Sequence, residues 1–201
     1  MLTIETIRKI KLAHGRDGKW RMRHIVSLLV ALLLLTPYPI EAGNASANGM
    51  EAFENVCSRA DEYDCYVNHR YGYAMAWPKR LLRPMGESDA GDGQVFAAPD
   101  GRAELRCWGN FVDFPKQTIP EALAQALAQP GRQVTYRHAA KDFFVLSGYE
   151  AGRIFYRRSI LAHGVLATFE LTYEKSLKEL FDPVIRDISK GFIIDPVFGL
   201  R

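Results

Sequence analysis

The side chains in residues 48–201 best suited to chemistry are three histidines, three cysteines and one short acidic run, and their spacing argues against most of it. His69, His138 and His163 neither stand at an H-x3-H interval nor lie beside a cysteine pair, the arrangements that hold zinc. His163 falls in an expected hairpin turn, where a solvated ring is the ordinary outcome. The run from Gly86 to Gly93, GESDAGDG, gathers the acidic oxygens that calcium favours. No register of it sets donors at the first, third and fifth positions with glycine sixth and glutamate twelfth. Asp92-Gly93 is also a common hairpin signal, so the run reads as a turn, and a calcium module on Asp89 and Asp92 is the weaker reading. A nucleophile elbow, a P-loop, a dinucleotide fingerprint, H-E-x-x-H and C-x-x-C are all absent from the sequence. Ser147 would need a histidine brought in by the fold. No catalytic residue, metal ligand or cofactor is assigned.

Cys57 and Cys65 flank a polar loop, SRADEYD, and form the expected disulfide of an exported chain. Cys107 alternates with Ala103 and Leu105 and reads as a buried free thiol. The same alternation sends Trp108, with Arg106 and Glu104, to the opposite face. A tryptophan between an arginine and a glutamate could anchor a partner. The favoured reading places it under the alanine-rich helix expected after Thr118, because tryptophan is so readily buried.

Compartment and charge follow from the N-terminal region. Residues 25–35, IVSLLVALLLL, form an eleven-residue apolar block behind Arg21 and Arg23, ended by Thr36-Pro37. A spanning helix needs about 20 apolar residues. A basic flank, a short apolar core and small residues after it are the parts of a secretory signal. Residues 1–47 are therefore read as signal and leader, with cleavage after Ala47 or Ala42 and a possible true start at Met22. Residues 1–24 carry seven basic side chains against Glu5 and Asp17, a net of +5, and Glu41 takes one back. The chain as a whole is +3, which leaves residues 48–201 at −1. Such a domain offers no counterion release to hold a nucleic acid. The basic spots at 78–83 (PKRLLR) and 153–158 (RIFYRR) read as solvated faces.

The elements that must position these residues are mostly strands. Residues 48–64 form an N-terminal arm with a helical turn or two through Met50, Phe53 and Val56. Short strands follow at 65–68 and from Tyr71 to Trp77, and Pro78 ends the second. Residues 79–84 read as an irregular connection with two leucines inward. Strands at 94–98 and 103–108 flank the turn Pro99-Asp100-Gly101. Thr118-Ile119-Pro120-Glu121 is a capping box opening a helix with Leu123 and Leu127 inward, stopped at Pro130-Gly131. Runs at 133–138, 142–148, 152–161 and 164–173 are joined by connections so short that they must be antiparallel. Ser176 to Glu179 is a second capping box, and Asp182-Pro183 looks like a further helix start. Leu180, Val184 and Ile188 make the inward stripe and Gly191 the stop. One kinked helix and two short ones both fit, and 195–201 is a tail.

The order of these elements resembles a known family. The hairpin from Tyr71 to Pro78, the G-D-G-x-x-F turn from Gly91 to Phe96, the strand pair from Asp100 to Leu105 and the terminal Asp182-Pro183 helix are similar to those of bacterial periplasmic proteins with the PsbP-like fold. The resemblance covers residues 65–193, read as a single globular domain over 65–194. It implies an α+β chain, with an antiparallel sheet of about six to seven strands and helices on both faces, an α/β/α sandwich. It also implies a binding or assembly module without a shared active site, so no functional residue is carried across. The segment from Cys57 to Cys65 lies outside the pattern. The expected function is an exported, non-enzymatic binding or assembly module of the bacterial envelope. It would be periplasmic or secreted, with a protein or small ligand as partner and membrane contact only through the signal. The alternative is a small exported hydrolase whose polar groups meet only in space.

Overall fold

The ten strands of the described residues assemble into two antiparallel sheets. The computed structural model describes residues 45–113, 116–196 and 198, with the backbone alone at 45–48. The apolar block at 25–35, Ala42 and the start at Met22 lie outside the described residues. Helix α1 runs Ala45–Cys57. Strands β1 (Tyr63–Asn68), β2 (Tyr73–Pro78), β3 (Arg83–Glu87), β4 (Gly93–Ala97) and β5 (Ala103–Phe111) precede α2 (Ile119–Leu127). Then come β6 (Arg132–Ala139), β7 (Phe143–Glu150), β8 (Arg153–Ala162), β9 (Val165–Glu174), a 3-10 turn (Lys175–Leu177), α3 (Lys178–Lys190) and β10 (Phe192–Ile194).

The larger sheet has seven strands in the order β3-β4-β5-β9-β8-β7-β6. The single sheet expected from the sequence is too simple, because β1 and β2 leave it and pair with β10 in a three-stranded sheet. Pro78 lacks the N–H to continue the ladder, and its carbonyl accepts from the N–H groups of Leu81 and Leu82, turning the chain away. All six residues of β2 are buried, so it needs a neighbour on each side. The connection expected at 79–84 becomes β3 from Arg83 onward. Its five residues are all exposed, and its register with β4 shifts between Pro84 and Glu87, so no alternation marks it.

Two cores occupy opposite faces of the large sheet, drawn from alternate residues of the same strands. Cys107, Ile154, Phe169, Leu171 and Tyr173 pack with Phe181 and Ile188 of α3 and with Tyr73, Met75 and Phe192 of the small sheet. Phe144, Leu146, Phe155 and Leu166 pack with Ile119, Ala122 and Ala126 of α2.

The helices correct two expectations. The face of α2 nearest the sheet is Ile119, Ala122 and Ala126, with Leu123 and Leu127 only partly buried. Alanine lets the helix axis come close. The box at its start is formed: the Thr118 N–H and hydroxyl both donate to Glu121 Oε2, at 2.8 Å each. In α3 the buried residues are Phe181 and the expected Ile188, while Leu180 is exposed. The helix is continuous, with Pro183 inside it and the 3-10 turn where the second capping box was expected.

The N-terminal arm is largely helix. Val56 of α1 packs with Tyr63 and Ala76, and Asp187 of α3 accepts from Arg59 Nη1 at 2.7 Å and from the Tyr63 hydroxyl at 3.0 Å.

Candidate functional site: an arginine and glutamate network beside Trp108

Helix α2 has nine residues and covers only part of its face of the sheet. Beyond its end the same face turns from apolar to charged. Strand β5 brings Glu104, Arg106 and Trp108 there, alternating with buried Ala103, Leu105 and Cys107. The register continues the row: Arg106 stands opposite Glu170 of β9, which stands opposite Arg157 of β8. Arg132 of β6 faces Glu150 of β7, which faces Arg153.

Arg132 holds the network together. Its side chain is 7% exposed. It donates to Glu170 through both terminal nitrogens, at 2.8 and 2.6 Å, and to Glu150 at 3.0 Å, while its guanidinium lies 4.7 Å from the centre of the Phe155 ring. Burial alone would lower its pKa, but the hydrogen bonds to Glu170 and Glu150 outweigh that and raise it. This is the bidentate geometry in which a buried arginine charge is tolerated.

Arg157 sits differently. Its side chain is 11% exposed, and its guanidinium lies 5.3 Å from the Trp108 ring centre and 6.0 Å from that of Phe144. The Glu170 oxygen it faces is 3.9 Å away, too far for a hydrogen bond. Its Nε is buried without a partner. Burial lowers its pKa, attraction to Glu170 works against that, and the charge of Arg132 adds to the lowering. A guanidinium still stays cationic at any physiological pH, so Arg157 can bind and neutralise an anion but cannot itself shuttle protons.

Trp108 is half-buried. With Arg106, Gln129, Arg132, Arg157 and Glu170 it lines a cavity of 320 Å³. A second cavity, of 390 Å³, shares Arg106, Arg132 and Glu170 and adds Glu104, Glu150 and Arg153. All three residues singled out on this face thus meet at one place. Trp108 lies at the end of α2 rather than in the core beneath it. Glu104 and Arg106 are paired with each other.

Arg132, Arg157 and Glu170 were not singled out by sequence reasoning. The reading of residues 153–158 as a solvated basic face is incorrect, because Arg157 is buried in the network. Arg158, on the other face, lies over Phe143 and donates to the Ser189 carbonyl at 3.0 Å. A usable signal existed. His163 and Gly164 both take positive φ, the two-residue hairpin turn that pairs Ala162 with Val165 and so sets Arg157 against Glu170.

The remaining candidates have structural partners. Cys57 and Cys65 form a disulfide, and Cys107 is a buried free thiol whose Sγ lies 3.7 Å from the Gln94 carbonyl. In the acidic run, Asp92 accepts from the Ser88 hydroxyl, and the Ala90 and Gly91 carbonyls accept from Arg70 and Asn68. Among the described residues no three metal-ligating side chains gather. Ser147 donates to the Phe155 carbonyl at 2.9 Å. Asp142, His163 and Ser189 line one cavity of 490 Å³, but the Ser189 hydroxyl donates to the Tyr156 hydroxyl at 3.1 Å.

No family model and no curated protein sequence matches this chain. Among solved structures it is similar to cyanobacterial PsbP (CyanoP) from Synechocystis sp. PCC 6803, with a TM-score of 0.50 and 15% identity over 66% of this chain and 92% of that one. At that identity the likeness speaks for the fold and for no residue's role. The ordered motifs pointed to the PsbP-like fold, and the chain has a PsbP-like fold.

Proposed function

We propose that this protein is an exported, non-enzymatic binding or assembly module of the bacterial envelope, built as an α/β/α sandwich, with the face bearing Trp108 as its contact surface. One observation carries the reading: a half-buried tryptophan set against a buried guanidinium and edged by the Glu104–Arg106 pair. An aromatic anchor with a charged rim is the composition of an interaction hot spot. Export is supported by the signal-like block at 25–35 and by the Cys57–Cys65 disulfide, which persists in oxidising compartments. A charge of −1 over residues 48–201 suits a protein or small-ligand partner better than a nucleic acid.

The test recovers the protein and its Trp108→Ala variant from the envelope of the bacterium that makes it, after crosslinking. The expected result is a chain beginning at Asn48 or Gly43, and a crosslinked partner that the variant holds about 30-fold less tightly, as loss of a hot-spot aromatic implies. A chain intact from Met1 in the cytosol would overturn the export reading, and identical crosslinking by the variant would overturn the contact surface.

A further inference from the structure

We propose that the cavity beside Trp108 is a carboxylate-binding site, in which Arg157 takes the carboxylate. The inference rests on reading this face as a contact surface and names the chemistry of what it contacts.

The Nε atoms of Arg132, Arg153 and Arg157 are all buried without a partner, and Arg157 is the guanidinium of this face whose terminal nitrogens also make no hydrogen bond among the described residues. Arg132 takes Glu170 and Glu150, Arg106 takes Glu104, and Arg153 reaches the Thr172 carbonyl at 3.5 Å. Among the described residues Arg157 has no hydrogen-bond acceptor; its Nε is sealed, so the donors open to a ligand are the terminal nitrogens of the guanidinium that lines the cavity. Buried donors on a charged group are costly to leave unpaired. The fold cannot satisfy them from inside, because the Glu170 it faces is already held by both terminal nitrogens of Arg132. The cavity is where an acceptor can meet its terminal nitrogens.

The shape and charge of the cavity select that acceptor. A guanidinium presents parallel N–H groups that match the two oxygens of a carboxylate. The indole of Trp108 makes a flat wall beside it, and Gln129 adds an amide at the cavity edge. A cavity of 320 Å³ admits a small acid or the carboxyl end of a larger molecule. The charged residues lining this cavity and the one that shares Arg106, Arg132 and Glu170 with it are four arginines and three glutamates. The single surplus positive charge fits a monoanion. Glu170, 3.9 Å from the Arg157 guanidinium, stands against a dianion such as phosphate.

The test titrates the purified protein with N-acetylglycine and follows the Trp108 indole N–H and the Arg157 Nε–H by NMR. N-acetylglycinamide serves as the uncharged twin and inorganic phosphate as the dianion. Both resonances are expected to shift saturably with N-acetylglycine and not with the amide, and phosphate should bind at least about ten-fold more weakly. Arg157→Gln should lose about ten-fold or more in affinity, the scale of a charge-assisted hydrogen bond. Arg106→Gln, at an exposed position, should weaken binding without touching the fold. A pentapeptide ending in a free carboxyl separates the sources. Tighter binding of the peptide identifies a protein chain end, and equal binding identifies a free small acid. No saturable shift, an equal response to the amide, or preference for phosphate overturns the proposal. Because no partner is present, the result is independent of whether the crosslinking experiment succeeds.

Discussion

Glu170 accepts two hydrogen bonds from Arg132 and faces Arg157 across the strand, so one carboxylate serves two buried guanidinium groups. Breaking a buried pair leaves the surviving charge uncompensated, which costs far more than the pair contributes when whole. Glu170→Gln keeps the shape and removes the charge, and should lower stability by about 3 kcal/mol in urea unfolding. An effect below about 1 kcal/mol would mean that the network behaves as a solvated surface pair. On the other face, burial pushes the Cys107 thiol from its ordinary 9.0 up to about 11. A group whose folded pKa is raised is neutral in the fold while the unfolded chain ionises. Its contribution is therefore fully present below pH 9 and lost as pH climbs toward 11. Unfolding free energy should fall across that window by an amount on the order of 2 kcal/mol from this thiol alone. Burial raises the pKa of Tyr73 as well and steepens the loss, so the comparison is with Cys107→Ala, whose curve should be flatter. Equal slopes in the two proteins would place the thiol in contact with water.

At the scale of elements, the Cys57–Cys65 disulfide ties the last residue of α1 to the middle of β1. Two further ties, from Arg59 and Tyr63 to Asp187, fix the same corner to α3. Replacing both cysteines by serine should cost about 2–3 kcal/mol, the loop-closure value for a short ring. The loss should show first as faster amide exchange in α1, whose packing depends on that corner, and unchanged exchange there would mean that Val56 and its neighbours hold the helix unaided. What could be read at this scale depended on period and on partners. The cysteine pair, the α2 capping box and the long alternating strand β9 were plain in the sequence because each signal is local. The inner face of α2 was not, since only the approach of the sheet makes Ala122 and Ala126 contact residues in place of Leu123 and Leu127. Leu180 was misplaced for a similar reason: Phe181, Val184 and Ile188 make a helical stripe as regular as the one through Leu180, and packing against the sheet selects Phe181. Strands β3 and β10 carry no alternation to detect, one being wholly exposed and the other three residues long.

For the whole molecule, antiparallel order followed from the short connections and fold class from the resemblance carried by the ordered motifs, while the division into two sheets followed from neither. That division depends on β2 being buried along its whole length, which no single window of sequence reveals. The candidate site was half legible. Trp108, Arg106 and Glu104 share one strand, whereas Arg132, Arg157 and Glu170 come from three others and meet only through register. The small sheet has a further consequence for the order of assembly. Strand β2 is flanked by β1 on one side and by β10, from the far end of the chain, on the other. During synthesis Tyr73 and Met75 therefore emerge long before Phe192 exists to cover them. The nascent polypeptide carries that uncovered strand until β10 has been made, an interval in which a holding chaperone could keep it unfolded.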